Sequence, residues 1–159
     1  MSAEPINLTV SRVIDATPER LYELISDVTR MGEWSPETTA AEWIGDAAGP
    51  AVGARFKGTN RTGPNTWSTK PTVTIADPGR AFAFKVPGGA GPVWTYRFDS
   101  VVGGTEVAET VAQTKRSPWF IRLLQKRAGI TDRSADLREK MTVTLANLAE
   151  VAESSAAAV

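Results

Sequence analysis

The stretch that decides the fold is TDRSADLREKMTVTLANLAEVAES, residues 131–154. Its apolar residues recur at intervals of three or four, the period of one face of an α-helix. Thr131 or Asp132 is expected to cap this helix, because a short side-chain oxygen accepts hydrogen bonds from the first free backbone N–H groups. The helix should be about 33 Å long, so it needs a broad apolar partner, and the preceding sequence predicts a sheet. The apolar face consists of Leu137, Met141, Leu145, Leu148 and Val151.

Composition restricts the chemistry that this chain can perform. It has no cysteine and no histidine, which removes disulfides, thiolate chemistry, imidazole metal ligands and Ser-His triads. We therefore expect no metal site and no cofactor. Basic and acidic residues balance at 18 each. This balance argues against nucleic acid as a partner, because affinity for phosphate backbones depends on clustered positive charge.

Length and hydropathy indicate one globular unit. We expect residues 1–159 to form a single domain, with a tail of small residues that frays over 154–159. The N-terminus lacks a basic segment followed by an apolar core, and no uninterrupted apolar run is long enough to span a membrane. These features favour a cytoplasmic location without stable membrane insertion. They do not predict an oligomeric state.

Strands dominate the chain before the long helix. Residues 5–15 alternate apolar and polar side chains and predict the first strand. Thr17 and Pro18 then predict an N-cap and first position of a short helix, and a second helical segment follows it. Six further strands are expected to be antiparallel, because their connections are too short for crossover helices. The predicted ranges are 39–44, 52–60, 66–76, 81–86, 92–102 and 105–113.

Two turns allow strand register to be predicted. A loop of Gly103 and Gly104 favours a type I′ hairpin, which puts aromatic side chains on one face together with a carboxylate and an amide. A four-residue loop over 77–80 sets the register of the preceding hairpin and points Lys85 outward; slippage by one residue would set two phenylalanines opposite threonines. The predicted pairs are Phe98 with Glu109, Tyr96 with Val111, Trp94 with Gln113, Ile75 with Phe82, and Val73 with Phe84.

A second helix is predicted over residues 115–129, with Ser117 as cap, Pro118 at the first helical position and Gly129 as the stop. Apolar side chains lie on one side of it and cations mostly on the other. Such a charged face is usually solvated; the alternative is contact with an anionic membrane surface or action as a lid. The cations are Lys115, Arg116, Arg122, Lys126 and Arg127.

The order of strand, short helical pair, six-strand meander and long terminal helix resembles the START-like (SRPBCC) superfamily. Three motifs carry the resemblance: VSRVIDATP at 10–18, the segment from Asp27 to Trp34-Ser-Pro36, and GGTEV at 103–107. The superfamily includes polyketide cyclase/dehydrase-like proteins and the birch-pollen-allergen type. The resemblance implies an α+β helix-grip fold, in which a seven-stranded curved antiparallel sheet wraps around the C-terminal helix and encloses a cavity. From the residues alone, a close-packed core is the simpler interpretation.

If the cavity exists, its walls should come from the aromatic strand face and the facing side of the long helix. Glu109 is the best polar candidate, because a carboxylate on an apolar face is desolvated and its pKa rises. The alternative is that Glu109 pairs with an arginine of the long helix, such as Arg133 or Arg138, or reaches the rim of the cavity. The candidate ligand-binding residues are Phe82, Phe84, Trp94, Tyr96, Phe98, Glu109, Val111, Gln113, Met141 and Leu145.

Three functions remain open at this stage. The leading hypothesis is non-covalent binding or carriage of a hydrophobic small molecule, such as a lipid, an acyl chain or a polyketide. The second is a polyketide cyclase or dehydratase in which Glu109 or Tyr96 moves a proton. The third is a protein- or membrane-interaction module that uses the helix over 115–127.

Overall fold

A computed structural model describes residues 5–130 and 132–157. The chain has the predicted α+β class, with a curled antiparallel sheet and a long C-terminal helix in the helix-grip arrangement. In chain order, the elements are β1 (Asn7–Ile14), α1 (Pro18–Ser26), a 3₁₀ helix (Val28–Glu33), β2 (Thr38–Ile44), β3 (Arg55–Thr62), β4 (Asn65–Thr69), β5 (Thr72–Asp77), β6 (Ala81–Lys85), β7 (Val93–Val101), β8 (Gly104–Ala112), α2 (Trp119–Arg127) and α3 (Arg133–Ala157).

Helix α3 forms where the apolar period predicts it. Asp132 caps the helix, since its Oδ1 accepts a hydrogen bond from the N–H of Ala135 at 3.1 Å; Thr131, the other predicted cap, lies outside the described residues. The apolar face of α3 is buried and packs against β1 and β8. The helix continues through Ala157, past the start of the tail predicted over 154–159; residues 158 and 159 lie outside the described residues.

The strands pair antiparallel in the order β1-β8-β7-β6-β5-β3-β2, and β4 also pairs with β3. The strand predicted over 66–76 is divided in two, because Pro71 has no N–H with which to continue the ladder. Both pieces keep one register on β3, in which Gly58 pairs with Thr69 and Arg55 with Thr72. The path across the sheet therefore crosses the predicted seven strands, and β4 extends the line of β5.

The predicted register of the β7–β8 hairpin is wrong by two residues. Val101 pairs with Gly104, so the loop consists of Val102 and Gly103. Gly103 has a φ of 94°, but Val102 has no positive φ, which excludes the type I′ turn. Gly104 is needed inside the sheet instead: a Cβ there would lie 2.1 Å from the carbonyl oxygen of Ile14 on β1. A slip of two residues keeps every side chain on its face, and the observed pairs are Phe98 with Val107, Tyr96 with Glu109, and Trp94 with Val111.

The β5–β6 hairpin follows its predicted register only in part. Val73 pairs with Phe84 as predicted, and Lys85 is exposed. The register shifts between Val73 and Ile75, so Ile75 pairs with Ala83 rather than with Phe82. A bulge of one residue exchanges the two faces of a strand. Ala76, not Ile75, consequently packs against the core.

The caps of the two shorter helices differ from each other. Thr17 caps α1 as predicted, with its side-chain oxygen accepting from the N–H of Arg20 at 3.1 Å. In α2 the N-cap position is Pro118, one residue later than predicted, so Ser117 makes no cap. Gly129 ends α2 with a φ of 85°, and the N–H of Ile130 donates back to the carbonyl of Gln125, which is the Schellman arrangement.

The main hydrophobic core lies between α1, the sheet and the C-terminal half of α3. Tyr22 of α1 meets the rings of Phe82 and Phe98 edge-on, with both centroid distances at 6.3 Å. Trp34 is buried after the 3₁₀ helix, and its carbonyl accepts a hydrogen bond from Asn147 of α3 at 3.1 Å. This core closes one end of the space between the two layers, so any cavity must lie toward the N-terminal half of α3.

Candidate functional site

A cavity of about 170 Å³ lies between the N-terminal half of α3 and strands β3, β6 and β7. Most of its wall is apolar, and a group of polar and charged side chains lies along one side. Trp67 on β4 is partly exposed, which marks the side of the cavity nearer to solvent. The apolar wall includes Met31, Phe56, Trp67, Phe84, Val86, Trp94, Leu137 and Met141.

Five of the residues proposed from the sequence line this cavity, namely Phe84, Trp94, Tyr96, Glu109 and Met141. They come together because alternate residues of β6, β7 and β8 face α3, where Met141 projects from the facing side of the helix. The register of the β7–β8 hairpin sets Tyr96 directly opposite Glu109. Sequence reasoning therefore identified the correct face but assigned Glu109 the wrong neighbour.

The other five candidates are not part of the cavity wall. Phe82 and Phe98 pack against α1, and Leu145 belongs to the same core cluster. Val111 packs with Leu137 and Met141 in a smaller cluster. Gln113 lies near the N-terminal end of β1, where its Oε1 accepts a hydrogen bond from the N–H of Ile6 at 2.9 Å. These residues shape the walls from behind or hold the sheet together.

Glu109 is the chemically distinctive residue of the cavity. It is only 2% exposed, and the hydroxyl of Tyr96 donates a hydrogen bond to its Oε2 at 2.6 Å. Its other oxygen, Oε1, has no hydrogen-bond partner within residues 5–130 and 132–157. Burial raises the pKa of Glu109 from 4.5 to about 8, although the hydrogen bond from Tyr96 opposes part of that rise. Glu109 is consequently a mostly neutral acid at pH 7, a pH at which most carboxyl groups are charged.

Tyr96 acts as the donor that holds this acid in position. Burial raises the pKa of Tyr96 well above its ordinary value, and the nearby Glu109 raises it further. The phenol therefore keeps its proton and points it at Oε2. Because Oε2 accepts this hydrogen bond, we expect the acidic proton of Glu109 on Oε1, which has no partner among the described residues.

The predicted alternative, in which Glu109 pairs with Arg133 or Arg138, is wrong. Arg138 is exposed on α3. Arg133 instead binds Glu37, just before β2, with its Nη1 3.0 Å from the Glu37 Oε1. It also contacts Asp136 one turn further along α3. Among the described residues, no cation therefore pairs with Glu109, because Arg133 is held by carboxylates at the edge of the cavity.

A cluster of charged side chains borders the cavity. The sequence did not reveal this cluster. Lys140 Nζ lies 3.0 Å from Glu37 and 3.2 Å from Asp136, so two cations share two carboxylates. Burial by itself would raise the pKa of Glu37, but Arg133 and Lys140 outweigh it and the pKa is lowered. The sequence signal for this cluster was the i, i+3 spacing of Arg133 and Asp136 and the i, i+4 spacing of Asp136 and Lys140. Nothing local marked Glu37 as their partner.

A polar group from β2, β3 and β4 continues the rim. The hydroxyl of Thr38 donates to Oδ1 of Asn60 at 2.7 Å, and Asn60 Nδ2 lies 3.5 Å from the hydroxyl of Thr69. All three line the cavity. The cavity therefore has an apolar body, a neutral acid in its floor and a polar rim, which suits a largely apolar molecule carrying one or two polar groups. Among residues 5–130 and 132–157, no group of His, Cys, Asp and Glu could hold a metal ion.

Comparison with known proteins gives a consistent result. Residues 5–153 match the family model described as polyketide cyclase / dehydrase and lipid transport. The chain is 33% identical to the Polyketide_cyc-like protein Cgl2372 from Corynebacterium glutamicum, whose solution structure superposes with a TM-score of 0.50; the match covers 96% of this chain and 88% of that one. No match is found among curated proteins.

More distant structures share the fold. The di-domain ARO/CYC protein StfQ of the steffimycin biosynthetic pathway is 13% identical, with a TM-score of 0.75 over 98% of this chain and 53% of that one. The major latex-like protein 151 of Panax ginseng is 12% identical, with a TM-score of 0.71 over 93% of this chain and 97% of that one. At these identities the comparison establishes the helix-grip fold alone. Because the family model spans nearly the whole described chain, the protein belongs to the polyketide cyclase / dehydrase and lipid transport family.

Proposed function

We propose that this protein binds a small, largely apolar carbonyl compound between the sheet and α3, with the carbonyl oxygen of the ligand directed at Glu109. The observation that carries the proposal is the unpartnered Oε1 of a buried acid in an apolar cavity. A buried polar group without a partner costs about 1–3 kcal/mol. A ligand that supplies the missing hydrogen bond recovers that free energy, whereas a pure hydrocarbon does not.

The protonation state of Glu109 selects the kind of ligand group. With a pKa of about 8, the carboxyl is mostly neutral at pH 7 and offers an O–H donor. Its complement is a hydrogen-bond acceptor such as a ketone, ester or thioester oxygen. An anionic group would be unfavourable there, because no cation in the described part of the chain forms a salt bridge with Glu109, and Arg133 and Lys140 are both engaged with carboxylates.

The dimensions of the cavity limit the part of the ligand that is enclosed. At about 170 Å³ it is close to the size of apolar cavities that hold a single benzene ring. One aromatic ring or a short acyl segment fits without rearrangement. A longer ligand would extend past Trp67 and the polar rim, where hydroxyl or carboxyl groups of the ligand find donors and acceptors.

Binding of a matched ligand pair tests this proposal. Acetophenone and α-methylstyrene have nearly the same shape, but only acetophenone has a carbonyl oxygen. We expect acetophenone to bind about tenfold more tightly, and we expect this preference to disappear in Glu109→Leu. Isothermal titration or ligand-observed NMR measures both affinities. Equal affinities for the wild-type protein would refute the role of Glu109.

A cavity-filling variant tests the location independently of the ligand. A Cβ on Gly58 would have ordinary contacts, at 3.6 Å from the hydroxyl of Thr69 and 3.8 Å from the methyl of Thr38, so Gly58→Val can be accommodated. Its isopropyl group would occupy the cavity. Thr59→Val, on the opposite face of β3, is the matched control. The proposed site would be contradicted if both variants lost ligand binding or if both retained it.

Native mass spectrometry of freshly purified protein gives the mass of the natural ligand, which the test ligands cannot reveal. We expect a fraction of the molecules to carry an additional mass that is released on denaturation. Gly58→Val should carry none, while Thr59→Val should retain it. The same mass in all three proteins would mean that it binds elsewhere.

A second function is favoured by one specific observation, the acid of Glu109 with a pKa near neutrality. Such a group can donate its proton to the carbonyl oxygen of the substrate as a carbon–carbon bond closes the ring, or to a hydroxyl oxygen that leaves as water, while the proton lost from the reacting carbon passes to solvent. In this case Glu109→Gln should still bind carbonyl ligands, because the amide also donates, but it should lose turnover of a poly-β-ketone test substrate. Ring closure measured by absorbance distinguishes the two functions: unchanged turnover in Glu109→Gln would exclude this role.

A further inference from the structure

Helix α2 turns its apolar side away from the protein. Its side chains that face the body are Ile121 and Gln125, which are both partly buried. None of the residues of α2 is fully buried. Four large apolar side chains lie on the outer arc of the helix, and their exposed fractions are 70% for Trp119, 50% for Phe120, 44% for Leu123 and 42% for Leu124. An apolar face that the described residues leave exposed in this way marks an interaction site.

The charges around this face identify the partner. The segment 115–130 contains five cations and no acidic residue, although the whole chain is neutral. None of the five forms a salt bridge within the part of the chain that the structure describes. Arg122 and Lys126 lie beside the apolar arc, because they follow Trp119 by three and seven residues. Apolar side chains flanked by free cations match the acyl and headgroup layers of an anionic bilayer.

A second copy of the chain is a poorer match for the same surface. Two α2 helices brought face to face would place like charges together, which is unfavourable. The helix has nine residues and is about 14 Å long, far shorter than the hydrocarbon core of a bilayer, so it would lie in the plane of the interface. The helices in the described part of the chain fall short of the length and hydropathy that a membrane-spanning segment needs.

Helix α2 is also attached to the edge of the cavity. Asn65, at the start of β4, donates a hydrogen bond through Nδ2 to the carbonyl oxygen of Leu124 at 2.8 Å. Two residues further along β4 is Trp67, part of the cavity wall. From these observations we propose that α2 docks the protein peripherally on anionic lipid membranes, with the side of the cavity that carries Trp67 held close to the bilayer.

Vesicle co-sedimentation tests the docking directly. Phosphatidylcholine vesicles with phosphatidylserine should bind the wild-type protein at low salt, and vesicles of phosphatidylcholine alone should bind it weakly. Charge reversal in Arg122→Glu with Lys126→Glu should reduce binding at least about 25-fold, since each juxtamembrane cation contributes about fivefold. Binding should also weaken with added salt because the attraction is screened.

The apolar contribution requires its own variant and control. Trp119→Ser with Phe120→Ser should abolish binding, whereas Val101→Ser with Val102→Ser, at the exposed β7–β8 turn, should leave it unchanged. All four side chains are at least 40% exposed, so we expect wild-type circular dichroism and Tm in both proteins. Gly58→Val should bind vesicles normally, which separates membrane docking from occupation of the cavity.

Three results would overturn the proposal. The first is no binding to phosphatidylserine vesicles at low salt. The second is equal binding by wild-type protein and the α2 variants. The third is a wild-type dimer, detected by analytical ultracentrifugation, that dissociates in Trp119→Ser with Phe120→Ser, because α2 would then be an interface between copies of the chain.

Discussion

The buried acid at Glu109 should make the stability of this protein fall as the pH rises. In the folded state its pKa is about 8, whereas the unfolded chain has an ordinary value of 4.5. Between these two values the folded protein holds a proton that the unfolded chain has released. The stabilisation is fully present below the ordinary value and is lost as the pH rises through about 8. Glu109→Gln removes this titration and changes the shape of the side chain little.

The expected magnitude follows from the same shift. Each pKa unit corresponds to about 1.4 kcal/mol, so from about pH 5 to pH 8 the free energy of unfolding should fall by about 3–4 kcal/mol. The chain has no histidine, so no imidazole titrates in this window. The carboxylate of Glu37 has a lowered pKa and contributes its pH dependence at lower pH. Little else in the described residues should obscure the effect.

Urea denaturation followed by tryptophan fluorescence measures the effect. Free energies of unfolding are determined for wild-type protein and Glu109→Gln at intervals between about pH 5 and pH 9. The wild-type value should decline relative to the variant up to about pH 8 and then run parallel to it. Profiles that stay parallel throughout the window, or a wild-type stability that rises with pH, would refute the buried neutral acid.

Three further variants probe the surrounding structure. Tyr96→Phe removes a hydrogen bond that favours the ionised form of Glu109, so the pKa of Glu109 should rise further and the decline in stability should extend to higher pH in the same denaturation series. Gly104→Ala would place a Cβ 2.1 Å from the Ile14 carbonyl oxygen at a φ of 137°, and we expect a loss of about 3 kcal/mol or more in calorimetry; wild-type stability would contradict the close packing of β1 and β8. Glu37→Gln leaves Arg133 and Lys140 with only one of the two carboxylates that they share, and should cost about 1–3 kcal/mol at neutral pH. That difference should vanish as the pH falls below the lowered pKa of Glu37, and a difference that persists in acid would show that the charge is not its cause.

The candidate site could be predicted only in part. Glu109 was identifiable because a carboxylate interrupts an aromatic strand face, and the face was right because an error of two residues in register keeps every side chain on its side of the sheet. Its hydrogen bond to Tyr96 could not be predicted, since it depends on which residue begins the turn. Glu37 was missed altogether: it meets Arg133 across 96 residues of sequence, and no local pattern links the two.

The sequence by itself determined the elements that depend on neighbouring residues. The apolar period and the Asp132 cap specify α3, the Thr17 cap specifies α1, and short connections specify an antiparallel meander. Only the tertiary structure decided that Phe82 and Phe98 fill the core while Phe84 and Trp94 border a cavity. The physical reason is that a strand's alternation fixes the face of a side chain, whereas the curvature of the sheet and the position of α3 determine whether the space above that face is filled.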